Sequence, residues 1–359
     1  MQLTLLAGSA PSLRDVLVRC LVLRRPGLVA VVYDLEPRTG GPVLVRRLHD
    51  ASGLIQRVEL TLTGCCLACS VEQDSASALG FVDRAQRWRE VVLALPAAVE
   101  PGHLAWVLSE RHGVLVDTVT TVVDAVLLRQ LVEGDDLLAE RGMAAAEGDR
   151  RSTAELVVRQ LEEADVLAVV DLQRVGTSKA RAVGALLSHL APLAIQVPIA
   201  PGGVGCEAVV STGRHDSAGR PRDREHLAML AAGLCPPTCG VTTVVWSSDG
   251  PMHSARLHAA LADLVVGVAR SRGHVWLADR PRVRFRWESA GGSLSLGEPS
   301  EWEAVPGCAL VLTGVGLEAA SLVTRLDACL ATDDELAAGV TWPDPFGEAL
   351  GPSGRPADR

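Results

Sequence analysis

The chain has 359 residues and a mass of 37.8 kDa, more than one typical core holds and about right for two domains. Hydrophobic residues make up 48% and charged residues 21%, which excludes wholesale disorder. A formal charge of -9 argues against nucleic acid or an anionic membrane surface as a partner, because both attract basic proteins. Aromatic residues are only 3%, so the cores must be built from Leu, Val and Ala. Lys179 is the single lysine among 34 basic residues, so any chemistry that needs a lysine has one candidate. No apolar run is long enough to span a bilayer. Met1 to Gly8 lacks a basic n-region and reads as a first strand, not a signal peptide. Nine cysteines, an odd number, do not form an obvious disulfide framework, and the expected compartment is a reducing cytoplasm.

In chain order, Leu3–Leu6 is a predicted strand, Ser12–Leu23 a helix and Leu28–Tyr33 an apolar strand. Val43–Leu48 and Arg57–Leu62 alternate apolar with polar residues, as edge or half-exposed strands do. Val91–Leu95 is a strand, Pro101–Glu110 a helix opened by proline, Val114–Val123 a strand and Ala125–Leu138 a helix. Ser152–Glu163 is a helix whose Ser152 and Glu155 have capping-box spacing. Asp165–Val170 and Ala194–Ile199 are strands with the helix Ser178–His189 between them. Such strand–helix–strand repetition predicts an α/β domain over residues 1–200, with a mainly parallel sheet covered on both faces.

Residues 201–240 are rich in Gly and Pro and predict an interdomain linker. Beyond it come a strand at Val241–Ser247, a helix at Ser254–Val268, strands near Val275–Leu277, Arg282–Glu288 and Ala309–Thr313, and a helix near Leu317–Leu330. This predicts a smaller α+β domain with an antiparallel sheet over 241–332, followed by a disordered tail over 343–359.

The segment Thr63-Gly64-Cys65-Cys66-Leu67-Ala68-Cys69-Ser70 offers three thiols within five residues, directly after a strand. One turn can then present several soft ligands to a single ion, and zinc is the usual occupant. The bland alternative is small apolar thiols packed under a loop. Cys235 and Cys239 form a second pair, which either supports a metal or is incidental to a Pro-Pro turn. Cys20, Cys206, Cys308 and Cys329 are isolated and read as structural.

Further segments follow in a fixed order: Thr120-Thr121-Val122-Val123-Asp124-Ala125, the helix Glu155 to Asp165, His253-Ser254-Ala255-Arg256-Leu257-His258, Trp276-Leu277-Ala278-Asp279-Arg280-Pro281, Ala290-Gly291-Gly292-Ser293 and Leu326-Asp327-Ala328-Cys329-Leu330. Together with the first strand, its Gly-containing turn and the cysteine segment, they resemble the CobW family of P-loop GTPase-related metallochaperones, over roughly residues 1–345. The resemblance implies a GTP-binding first domain with a CxCC metal motif and a role in delivering zinc, cobalt or nickel. Cys66 and Cys69 fall on the first and last cysteines of that motif, Ala68 replaces the middle one, and Cys65 precedes it.

The nucleotide motifs depart from the family. Its GxxGxGKT loop falls on Gly8-Ser9-Ala10-Pro11-Ser12-Leu13-Arg14-Asp15. A phosphate loop needs converging backbone N–H groups, a lysine on the β/γ-phosphates and a hydroxyl on magnesium. Pro11 removes a donor, Leu13 adds bulk, Asp15 replaces the hydroxyl and Arg14 the lysine, although Arg14 is still able to touch a phosphate. The family's acidic residue falls on Ala94, and no Asn-Lys pair stands before Asp171, which reads as a cap or strand-end residue. His253 and His258, which match family histidines, are five apart and read as cap or surface residues.

The expected protein is therefore a cytoplasmic, CobW-like zinc chaperone or buffer. Its GTPase-like domain has lost GTP and magnesium, so no catalytic residue is expected. Its partner would be a metal-requiring client or an intact CobW-type homologue. Alternatives are a non-catalytic interaction module serving that homologue, and an active GTPase with atypical motifs.

Overall fold

The structure is a computed structural model that describes residues 1–36, 38–39, 41–62, 67–144, 148–216, 232–302, 305–339 and 342–350. The first half forms an eight-stranded sheet in the order β4-β3-β2-β5-β1-β6-β7-β8. Its strands are β1 (Gln2–Ala7), β2 (Leu28–Glu36), β3 (Val43–Asp50), β4 (Gly53–Leu60), β5 (Glu90–Ala94), β6 (Val116–Asp124), β7 (Val166–Val170) and β8 (Ile195–Ile199). The strands from β2 through β5, β1, β6 and β7 to β8 are parallel, and β3 and β4 add an antiparallel extension at one edge.

Both faces are covered, which is why the central strands are apolar almost throughout. Leu6, Ala30, Val32, Val92 and Ala94 pack against helix α1 (Pro11–Arg24). Leu3, Leu5, Val29, Val31 and Leu93 pack on the opposite face, against α2 (Leu67–Ala85) and α3 (Pro101–His112). The rest of that face is covered by α4 (Leu128–Glu133), α5 (Thr153–Glu162) and α6 (Thr177–Leu190).

Helix α2 was not among the predicted elements, although its buried Leu67, Val71, Ala78, Leu79 and Val82 recur at helical spacing. Burying the four larger side chains is worth about 1.5–3 kcal/mol apiece. Conversely, the helix expected over residues 125–138 shrinks to the six residues of α4. Asp124 Oδ1 accepts from the Val126 and Leu127 N–H groups at 2.8 and 3.3 Å, which holds a turn before it. At the start of α5, Ser152 Oγ accepts from Glu155 N at 3.0 Å, as a cap should.

The second half forms a five-stranded antiparallel sheet in the order β12-β11-β10-β13-β9. Its strands are β9 (Val241–Ser248), β10 (Val268–Trp276), β11 (Val283–Ala290), β12 (Ser293–Glu301) and β13 (Cys308–Val315). Helices α7 (Ser254–Leu264) and α8 (Ala319–Ala328) pack on one face over Trp246, Phe285, Trp287 and Leu310. The α/β sheet followed by a smaller α+β domain agrees with the sequence reading. Strand β12 was not anticipated, and α7 stops at Leu264 because Gly267, at φ +74°, turns the chain into β10.

Two segments are more ordered than their composition suggests. Within the stretch expected as a linker, Cys206, Val209 and Val210 are buried beside α1, and Thr120 Oγ1 donates to the Val209 carbonyl at 2.5 Å. After helix α9 (Asp333–Ala337), the tail expected to be disordered from residue 343 is folded as far as residue 350, ending in helix α10 (Gly347–Leu350). Phe346 is buried in the second core, and Arg280 binds Asp344 at 2.6 Å, which supplies the anchoring that composition does not reveal. Residues 351–359 lie outside the described residues.

The two sheets meet directly. Val241, Ala269 and Ala290 of the second sheet share a core with residues of α4, α5 and α6. Arg270 and Arg272 reach the fully buried Glu162 of α5 at 2.9 and 3.0 Å. His189 of α6 shares a 2.8 Å hydrogen bond with Thr243 of β9, which in turn pairs with Thr313 of β13.

Candidate functional site

In open α/β sheets a ligand site lies beyond the carboxyl ends of the strands, where neighbouring connections diverge. Here α1 leads from β1 toward β2, while α5 leads from β6 the other way, so the divergence falls at Gly8. Gly8 has φ +146°, and a Cβ there would sit 2.8 Å from the Val122 carbonyl oxygen, so only glycine fits against β6. Three residues later Pro11 already opens α1 in its first helical position. The turn from strand to helix is thus too short to wrap a phosphate. The cavity beside it, between Ser9, Thr121 and Asp124, measures about 10 Å³, room for roughly one water.

Arg14 is fully buried beneath this turn. Its Nη1 donates to the Leu95 carbonyl at 2.5 Å and to the Tyr33 carbonyl at 3.3 Å, at the ends of β5 and within β2. Nη2 donates to Asp15 Oδ1 at 2.8 Å and to Asp34 Oδ1, and Nε to Asp15 Oδ1 at 3.1 Å. A guanidinium has five N–H groups, and these contacts take all five. The expectation that Arg14 is able to touch a phosphate is therefore corrected: its planar fork is satisfied inside the protein.

From Arg14 a ladder of alternating charge runs outward across one sheet face. Asp34 also receives Arg47, Arg47 binds Glu36 at 3.1 Å, Glu36 receives Arg57 at 2.9 Å, and Glu59 joins Arg57 and Arg38 at 2.8 and 2.9 Å. Beside it His49 is held below its ordinary pKa, first by burial and then by Arg47. Ala94, at the expected acidic position, is buried. Asp171 occupies a left-handed turn at φ +60° and binds Arg174 at 2.8 Å, a turn role. Lys179 is exposed on the first turn of α6, away from Gly8 in the fold order.

Cys69 is exposed in the first turn of α2. Cys65 and Cys66 lie outside the described residues. One turn further on, Glu72 receives Arg111 at 3.2 Å and lies 4.0 Å from His112. Among the described residues, no three His, Cys, Asp or Glu side chains group as metal ligands. Cys235 donates to the Ser188 carbonyl at 3.3 Å and burial raises its pKa, while Cys239 is exposed. Cys206 and Cys308 are buried and pushed up to about 11, mainly by that burial, which makes both poor nucleophiles. His253 caps α7 by accepting from Arg256 N at 3.4 Å and lies 3.9 Å from Trp342, ring centre to ring centre; His258 meets Phe346 at 5.4 Å.

Sequence reasoning missed Asp34, Tyr33 and Leu95 as partners of Arg14, and Glu162 as the buried acid of the joint. The only sequence signal for the first set was arginine itself, since a cation inside a helix must find acceptors somewhere.

Comparison with known proteins finds similarity along most of the chain. The cobalamin synthesis protein cobW C-terminal domain family matches residues 241–330, from β9 to just past α8. The chain is 29% identical to the zinc chaperone Rv0106 of Mycobacterium tuberculosis over 381 aligned positions, covering 91% of this chain and 88% of that protein. It is 23% identical over 325 positions to zinc-regulated GTPase metalloprotein activator 1 of Dictyostelium discoideum, covering 78% and 68%. Among solved structures, Zn(II)-bound YjiA GTPase from E. coli aligns with 92% of this chain at 14% identity and a TM-score of 0.42. Residues 241–330 thus match the cobW C-terminal domain family, and with relatives aligned along nearly its whole length the chain is similar to CobW-type proteins throughout.

Proposed function

We propose that this protein binds zinc through Cys66 and Cys69, with Cys65 beside them, and passes it to a metal-requiring client without a nucleotide cycle of its own. The observation that carries the second half is Arg14. With all five donors taken by Leu95, Tyr33, Asp15 and Asp34, and a cavity of only about 10 Å³ between Ser9, Thr121 and Asp124, the residues at the sheet mouth do not fit a nucleotide's phosphates. On this reading the metal is passed on without GTP or magnesium.

Zinc is supported by the names of two relatives, a zinc chaperone and a zinc-regulated activator, and by thiolate chemistry. Three thiolates from one turn make a charged site whose fourth position is left to solvent or to a client's own ligand. A client thiolate entering there allows the ion to change hands by stepwise ligand exchange. Each thiol must lose its proton to bind, so uptake releases protons and weakens as pH falls. We place this activity in the cytoplasm, where thiols stay reduced; no described helix is long and apolar enough to cross a membrane.

Zinc competition against a chromophoric chelator tests the first half. Cys66→Ala or Cys69→Ala is expected to remove most stoichiometric zinc, Cys65→Ala less, and Cys235→Ala none. Unchanged stoichiometry in both the Cys66 and Cys69 variants removes the metal reading and leaves that of a non-catalytic interaction module. Titration with a fluorescent GTP analogue and Mg²⁺ tests the second half. Losing the lysine and backbone contacts weakens binding by roughly 10²–10⁴, so low-micromolar affinity would overturn it.

A further inference from the structure

The ends of a sheet expose unpaired backbone N–H and C=O groups, and proteins usually blunt them with proline, bulges or cover. Strand β8 carries Pro198, and β12 carries Pro299 beside a register shift against β11. Strand β4, Gly-Leu-Ile-Gln-Arg-Val-Glu-Leu, carries no proline, and its register shift against β3 lies near its beginning, beside Ile55. It is eight residues long, pairs with β3 in unbroken register from Gln56 to Leu60, and has no buried residue. Leu54 and Ile55 on it are 56% and 36% exposed. Beside its first residue lies a mostly apolar groove of about 470 Å³, lined by Val18, Val22, Leu23, Ala51 and Gly53.

We propose that β4 pairs with β4 of a second copy of this chain, antiparallel about a two-fold axis at Val58, so that the two eight-stranded sheets become one. Charge selects both the partner and the register. With the axis at Val58, Arg57 stands opposite Glu59 of the second copy, and Glu59 opposite its Arg57. Opposite charges facing across a strand pair stabilise it, whereas like charges destabilise it. An axis at Arg57 or at Glu59 would set each of those residues against itself. The contact is isologous, so it closes as a dimer and does not propagate. It stands independently of the metal reading.

Sedimentation velocity of the full-length chain at micromolar concentrations tests the pairing, with circular dichroism confirming that each variant is folded. A dimer is expected. Arg57→Glu should weaken it about tenfold or more, because both cross-strand pairs become repulsive. The double variant Arg57→Glu/Glu59→Arg should regain it, because the complementarity is restored with the sides exchanged. Val58→Cys, on the axis, should cross-link to a covalent dimer when diamide accepts the two electrons, in a yield well above that of the wild type with its exposed Cys69 and Cys239. A monomeric wild type, a dimer indifferent to Arg57→Glu, a folded double variant that stays monomeric, or no added cross-link at Val58→Cys would each overturn the pairing.

Discussion

Arg14 and Arg270 are both withdrawn from solvent, with side chains 0% and 1% exposed, and each is held by carboxylates and a backbone carbonyl. The origin of those acceptors separates their roles. Arg14 takes Asp15 from its own helix, Asp34 from the end of β2, and the Tyr33 and Leu95 carbonyls, all within the first sheet. Arg270 lies in the second sheet and takes Glu162 from α5 of the first, with Glu288 and the Ser289 carbonyl beside it. One arginine plugs the mouth of a sheet and the other joins two domains. A buried cation is therefore interpreted by where its acceptors come from, more than by its burial.

The largest effect should follow from breaking the joint. Glu162→Ala leaves Arg270 and Arg272 buried without their shared carboxylate, and is expected to cost about 3–5 kcal/mol, read by urea denaturation; a loss below the noise of the measurement would mean that the joint is held by apolar contact alone. At the sheet mouth, Arg14→Lys keeps the charge but not the fork. Buried acceptors at Leu95, Tyr33 or Asp34 are then left unmatched, at a cost of about 1–3 kcal/mol. The same variant should gain no affinity for a GTP analogue, since Pro11 and Leu13 remain.

The joint should also respond to pH through His189. Burial lowers its pKa from the ordinary 6.5, opposed in part by the Pro236 carbonyl. The unfolded chain therefore takes up this proton first. The stabilising contribution is intact above 6.5 and is lost progressively as pH falls from there to the folded-state value. His189→Gln should flatten that part of the stability–pH curve relative to wild type; an unchanged curve would remove His189 as its cause. The smallest effect belongs to the exposed end of the ladder, where Arg38→Ala should change stability by no more than about 0.5 kcal/mol.

Most of the first sheet was legible because its strands are short apolar runs separated by amphipathic helices, and periodicity reports that directly. Helix α2 was legible in principle, since Leu67, Val71, Ala78, Leu79 and Val82 keep helical spacing, but the cysteines before it drew the reading toward a loop. Strand β12, Ser-Leu-Ser-Leu-Gly-Glu-Pro-Ser-Glu, carries Gly and Pro and so resembles a turn until β11 supplies its partner. The loss of glycines and lysine at residues 8–15 was legible residue by residue. What Arg14 does instead was not, because its acceptors lie 19 and 81 positions along the chain and meet it only when β2 and β5 come together. Phe346 was hidden in the same way, an apolar anchor inside a Pro-rich tail.

The contact at Gly291 has a bearing on modularity. This residue turns at φ +54°, and a Cβ placed on it would lie 2.1 Å from the Gly134 carbonyl oxygen and 2.9 Å from Ala154 Cβ. The main chains of the two domains thus touch with no side chain between them. A hybrid that joins this first domain to another second domain keeps the same seat only if glycine is retained at that hairpin. Any larger residue there must lift β11 and β12 off α4 and α5, and with them the Arg270–Glu162 pair. The C-terminal domain is recognisable as a unit by its sequence, yet its exchangeability is set by one hydrogen atom's worth of space.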